Sequence, residues 1–218
     1  MKNSILNRPF PYTFSSVTFY LIGINIIFYM IGYVYPRSVF YTAMIPGLVL
    51  ERFYIWQFVT YMFTHGGFTH ILFNMLGLFF FGMQVERRIG SYEFLLFYLL
   101  TGILAGILSF IIYYFTGSYS VILLGASGSI FAVLFAFAVY FPNAQIYIMG
   151  IFPVKAPMLV IGYTVIELFS QVTSARTGVA HLTHLAGFGF AYLYFVLRLG
   201  INPIESFKHR GPGGVWRH

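Results

Sequence analysis

The sequence predicts an all-α membrane protein: six transmembrane helices packed into one bundle, with a membrane-embedded first external loop. Three observations point there. Of the 218 residues, 59% are hydrophobic and only 8% charged, against roughly 45–50% and about 25% in soluble domains. Mean hydropathy is +0.82. Apolar runs of bilayer-crossing length recur along the chain, and backbone polar groups in lipid must be satisfied within each segment, which favours helices.

The spans are expected at about 16–35, 68–85, 92–115, 121–140, 156–173 and 179–198. This divides the chain into an N-terminal segment 1–15, a helical domain 16–198 and a basic tail 199–218. The first span is too long for a signal-peptide core and no A-x-A-like site follows it, so it is expected to stay as an anchor. Between the first two spans, the run from Phe53 to Phe63 is too apolar for water and short for a span. Its Trp56 and tyrosines suit headgroup depth, so a hairpin in the interface is expected. Gly102 and Gly106 in the third span form a small-xxx-small pair that lets helices approach closely. The stretch after Pro203 reads as a mobile tail attracted to anionic lipid.

Even-numbered spans put both termini on one side. With that side cytoplasmic, Lys2, Arg8, Arg87, Arg88, Lys155, Arg198, Lys208, Arg210 and Arg217 lie inside and Arg37, Arg52 and Arg176 outside. This excess fits the positive-inside rule and accounts for the net charge of +7 without nucleic acid. A bacterial plasma membrane is expected. There is no Cys, and the five acids, Glu51, Glu86, Glu93, Glu167 and Glu205, include no Asp. Thiolate nucleophiles, Cys-ligated metals and a Ser-His-Asp triad are thereby excluded.

Polar groups inside lipid cost several kcal/mol unless satisfied, which makes them functional candidates. Three spans deliver them to one level: His70 and Asn74 in the second, Ser127 in the fourth and His184 in the sixth. At 1.5 Å per residue, Ser127 and His184 both sit roughly 8–9 Å below the outer boundary. His70 and Asn74 share a helix face, as do His184, Gly187 and Ala191. Gly125 and Gly128 thin the fourth helix around Ser127. A Ser hydroxyl needs a neighbour to take its proton, and an imidazole has the right basicity near neutral pH. Asn74, His70 and the Ser127 amide are the available donors for a developing oxyanion.

The segments Gly125-Ala126-Ser127-Gly128, His184-Leu185-Ala186-Gly187 and His65-Gly66-Gly67-Phe68-Thr69-His70-Ile71-Leu72-Phe73-Asn74, in that placement, resemble the rhomboid intramembrane serine proteases over about residues 10–200. Glu86-Arg87-Arg88-Ile89-Gly90-Ser91 resembles the family's short cytoplasmic turn. The resemblance implies a rhomboid-like bundle in which Ser127 is the nucleophile and His184 the base. It also implies His70 and Asn74 assisting the oxyanion and Phe131 packing on the imidazole. Substrates would be transmembrane segments of other proteins, with the fifth span and the following loop as gate and cap. Two positions depart from the family's pattern: Gln57 follows Trp56 where Arg is common, and Ala191 replaces a glycine.

Other readings stay open at this stage. A transporter or channel would use the histidines as proton relays or cation ligands, and an inactive relative would only hold membrane clients. Metal or haem binding by His65, His70, His181 and His184 is disfavoured by spacing and by the lack of an H-E-x-x-H motif. No metal and no cofactor are expected, and His65 and His181 are placed at a wet rim. Glu167, six residues into the fifth span, has either a helix-bonding role or a role orienting His184; the resemblance favours a Ser-His dyad without it.

Overall fold

The computed structural model describes residues 9–148, 150–173 and 178–208; Arg176, the first eight residues and the basic residues from His209 onward lie outside these. α1 (Val17–Val34) leads into three short helices, α2 (Val39–Thr42), α3 (Pro46–Arg52) and α4 (Gln57–Thr60). α5 (Phe68–Gly77) and α6 (Met83–Ile89) are joined through a π-type turn at Leu78–Gly82 into one rod, and α7 (Ser91–Phe115) returns antiparallel to it. α8 (Ser127–Tyr140) is followed by a hairpin of β1 (Gln145–Ile148) and β2 (Phe152–Lys155). α9 (Ala156–Thr173), α10 (Gly178–Tyr194) and α11 (Pro203–Lys208) complete the described chain.

Among the described residues, four helical stretches are long and apolar enough to cross a membrane: Val17–Val34, Phe68–Ile89, Ser91–Phe115 and His181–Leu199. Ser127–Tyr140 and Ala156–Phe169 are apolar but shorter. The largest departure from expectation is the fourth span. Residues 121–126 are not helical. Leu123 forms an antiparallel bridge with Met44, and Gly125, at φ +118°, takes the chain through a conformation that favours glycine. α8 therefore begins at Ser127 itself. The non-helical approach places Ser127 on the first turn of α8 rather than inside a continuous helix, so counting about 1.5 Å per residue from Val121 does not give its depth.

α8 runs through the centre, with Ala132, Val133, Ala136, Ala138 and Val139 fully buried. Its small residues permit this. A Cβ on Gly102 of α7 would stand 2.2 Å from Ser129 Oγ and 2.3 Å from Met62 Cε, and one on Gly106 would stand 2.6 Å from the Tyr61 ring. The two glycines thus receive the loop and α8 together, and the Tyr61 hydroxyl donates to Gly102 O at 2.6 Å.

The loop expected in the interface turns at Phe53 (φ +57°) between α3 and α4 and buries Tyr61, Met62 and Phe63 against the bundle. Gln57, the departure after Trp56, is fully buried. It accepts from Ile45 N–H at 3.0 Å and donates to Phe40 O at 2.8 Å, so the amide itself anchors the loop.

Two buried carboxylates lock the end of the bundle away from Ser127. Glu86 accepts from Val17 N–H, Thr18 N–H, Thr18 Oγ1 and Ser91 Oγ at 2.5–2.9 Å, capping α1, whose Ser16 supplies no side-chain cap. Glu93 takes the Arg198 guanidinium through Nε at 2.5 Å and Nη2 at 2.9 Å, with Tyr194 and Phe10 N–H completing its shell. The tail is not loose at its start: Ile201, Pro203 and Ser206 are buried, and the Phe207 ring meets Phe135 at 5.8 Å.

Candidate active site

Ser127 is the first residue of α8, so the helical ladder offers its N–H no acceptor four residues back. The turn before it is held by Gly125 N–H donating to Tyr61 O at 2.9 Å. His184 comes from α10, which crosses α8 at van der Waals distance. A Cβ on Gly187 would lie 2.1 Å from Gly128 O and 3.4 Å from Phe131 Cβ, so only glycine allows that crossing. The Ser109 and Thr183 hydroxyls, 2.7 Å apart, tie α7 to α10 beside it.

This crossing brings the His184 Nε2 to 2.8 Å from Ser127 Oγ. Phe131, one turn after Ser127, stacks on the imidazole with centroids 4.3 Å apart and planes 12° from parallel. Its ring fixes the plane of the imidazole. On the other side, His184 Nδ1 stands 3.0 Å from Glu167 Oε1, and the second oxygen of Glu167 contacts His181 Nδ1. A carboxylate at Nδ1 selects the tautomer with Nδ1 protonated, leaving Nε2 free to accept from the serine.

His70 and Asn74 face the same cavity. The His70 Nε2 lies 2.7 Å from where a Gly125 Cβ would be, so the glycine makes room for the ring next to Ser127. Asn74 Nδ2 donates one hydrogen to His70 O at 2.7 Å and keeps a second. Ser127, His184, His70, Asn74 and Phe131 line a cavity of about 550 Å³ that continues between α5 and α9 past Phe80, Phe81, Leu159 and Tyr163 to Ile146 and Ile148 of β1.

Three histidine and glutamate placements differ from the sequence reading. His65 is not at a wet rim: it is buried, its Nδ1 3.2 Å from Phe63 O and its ring edge-on to His70 at 5.0 Å. Burial, reinforced by nearby His70, pushes its imidazole down to about 4. His181 is half-buried and bound to Glu167 rather than solvated. Glu167, set aside in favour of a dyad, reaches the His184 imidazole directly. The signal was present: it is the one acid in the outer half of a span, and an imidazole serving as base has a second nitrogen to satisfy. Among the described residues, Glu167, His181 and His184 also form a group able to hold a metal, their ligand atoms within 4.8 Å of one another.

The Rhomboid domain family matches residues 52–200. YdcA, a rhomboid of Bacillus subtilis, is 34% identical over 134 residues, covering 61% of this chain and 63% of YdcA. Rhomboid protease AarA of Providencia stuartii is 30% identical over 141 residues, 57% of this chain and 50% of AarA. Rhomboid protease GluP of Bacillus subtilis is 40% identical over 79 residues, 36% of this chain and 14% of GluP. In each case the match spans less than two thirds of the relative. The family match takes in Ser127, His184, His70 and Asn74, and with the apolar helices it leads to one conclusion: the chain is an integral membrane protein of the rhomboid family.

Proposed function

We propose that this protein is an intramembrane serine endopeptidase that cleaves transmembrane segments of other membrane proteins near the outer leaflet. The single observation that carries the reading is the 2.8 Å approach of His184 Nε2 to Ser127 Oγ, with Glu167 at the other ring nitrogen. AarA and GluP, which bear the name rhomboid protease, support it.

Ser127 Oγ attacks the scissile carbonyl carbon as its proton passes to His184 Nε2. Glu167 holds Nδ1–H and balances the imidazolium that forms. The charge developing on the carbonyl oxygen falls to the Ser127 N–H, the free Asn74 N–H and the His70 ring, all neutral donors suited to a low-dielectric site. Collapse of the intermediate breaks the C–N bond, His184 gives its proton to the leaving amine, and the acyl group stays on Ser127. Water then enters, is deprotonated by His184 and releases the carboxylate.

The bundle of residues 16–198 would carry this chemistry, with all six helices crossing and α8 and α9 spanning the bilayer with their flanking segments. Segments 1–15 and 199–218 belong on the cytoplasmic side by the charge rule, and a bacterial plasma membrane is the setting proposed. A helical peptide bond is shielded by its own hydrogen bonds, so substrates must unwind locally, and Gly, Pro or small polar residues are expected at the cut.

The test is proteolysis of a model transmembrane substrate in proteoliposomes. Wild type should cut it, and Ser127→Ala and His184→Ala should not. Cutting by both variants would overturn the reading; ion flux without any cutting by wild type would favour a channel.

A further inference from the structure

The reaction needs one acceptor at His184 Nδ1, and Glu167 Oε1 supplies it. His181 is then surplus. Three residues before His184 on α10, it presents a second imidazole on the same helix face to the other oxygen of the same carboxylate. Two imidazole nitrogens and a carboxylate oxygen are the donor set of zinc sites that keep a fourth position for water.

The geometry is close to what an ion needs. The three ligand atoms lie within 4.8 Å of one another; ligands at about 2.0–2.2 Å in a tetrahedron stand about 3.3–3.6 Å apart, so the widest separation closes by at most about 1.2–1.5 Å while the 3.0 Å contact of His184 Nδ1 with Glu167 Oε1 opens slightly. The trio is also reachable: side-chain exposure is 24% for His181, 20% for His184 and 9% for Glu167. The H-E-x-x-H criterion misses such a site because its third ligand comes from a different helix.

We propose that Glu167, His181 and His184 form a binding site for a divalent transition metal of the zinc class, and that its occupancy switches proteolysis off. The inference rests on His184 being the base. A metal on Nδ1 of His184 displaces the ring proton to Nε2, the nitrogen that faces Ser127. Nε2 then donates where it must accept, and the hydroxyl has nowhere to send its proton. The metal also withdraws Glu167 from the imidazole, so the base is disabled in tautomer and in charge while the fold stays intact.

The experiment has two arms on tag-free protein in detergent. In the first, calorimetric titration of Zn²⁺ into Ser127→Ala should show one site per chain, lost in the Ser127→Ala/His181→Ala and Ser127→Ala/His181→Gln double variants. In the second, saturating Zn²⁺ should lower wild-type cleavage about 10²-fold or more, the usual worth of a positioned base, and chelation should restore it. His181→Ala and His181→Gln, each normalised to its own metal-free rate, should be insensitive at the same concentration. Absence of binding, binding without inhibition, or equal inhibition of the His181 variants would each overturn the proposal. If wild type does not cut at all, the proteolytic reading fails, while the binding arm still decides whether the site takes metal.

Discussion

Substituting Gly187 by Ala tests whether the α8–α10 crossing sets the chemistry. The added Cβ would lie 2.1 Å from Gly128 O and 3.1 Å from Gly128 C. These are backbone atoms with no rotamer to turn aside. Restoring a carbon–oxygen contact of about 3.3 Å requires the helices to part by about 1.2 Å. His184 lies one turn before Gly187 on the same face, so it moves with the helix, and the 2.8 Å contact to Ser127 Oγ opens to about 4 Å, beyond hydrogen-bonding range. Misplacement on that scale costs about 10²-fold in rate, and overpacking costs about 1–3 kcal/mol of stability. Cleavage of a reconstituted substrate and thermal unfolding measure the two effects. Gly189→Ala on the same helix is the control, since its Cβ meets nothing within 4 Å. Cleavage by Gly187→Ala within about threefold of wild type, where a 1 Å shift should cost about 10²-fold, would show that this crossing does not position His184, as would an equal loss in Gly189→Ala.

Glu167→Gln replaces the acceptor at Nδ1 with an amide that can hold the wrong tautomer; kcat should fall about 10²-fold or more with KM little changed, as steady-state kinetics would show. Gln57→Ala strips partners from Ile45 N–H and Phe40 O and should cost about 1–3 kcal/mol of stability in a denaturation measurement. His65 is neutral in the fold down to about 4, whereas the unfolded chain protonates it below about 6.5. Its contribution is therefore present in full above about pH 6.5 and is lost as pH falls toward 4. Melting temperatures across that window should drop less in His65→Phe than in wild type.

The sequence exposed the parts of this protein governed by periodicity and by the cost of polar groups in lipid. The helical stretches fall where the apolar runs lie, and Ser127 and His184 stand out because two different spans bring a hydroxyl and an imidazole to one depth, with glycines beside the serine. Gly125, Gly128 and Gly187 were readable as thinning the contact, although the partner atom, Gly128 O for Gly187, is a tertiary fact. What stayed hidden depends on irregular backbone or on pairing between distant elements. Residues 121–126 are apolar enough for a helix, but the bridge from Leu123 to Met44 and the turn at Gly125 keep them out of one. The β1–β2 hairpin was unassigned because four-residue strands carry too little pattern. Glu167 was visible as a lone intramembrane acid, yet choosing between a helix contact and the base required knowing that α9 turns it toward His184. His65 and His181 were placed at the rim by their position in sequence, whereas neighbours from the loop and from α9 bury or bind them.

Covalent labelling asks whether His184 makes Ser127 nucleophilic. Purified protein treated with a fluorophosphonate and mapped by peptide mass spectrometry should carry one adduct, on Ser127. Ser127→Ala should take no label, and His184→Ala should label far more slowly. An adduct on another residue, or labelling of Ser127 at an unchanged rate without His184, would rule out this pairing of serine and imidazole.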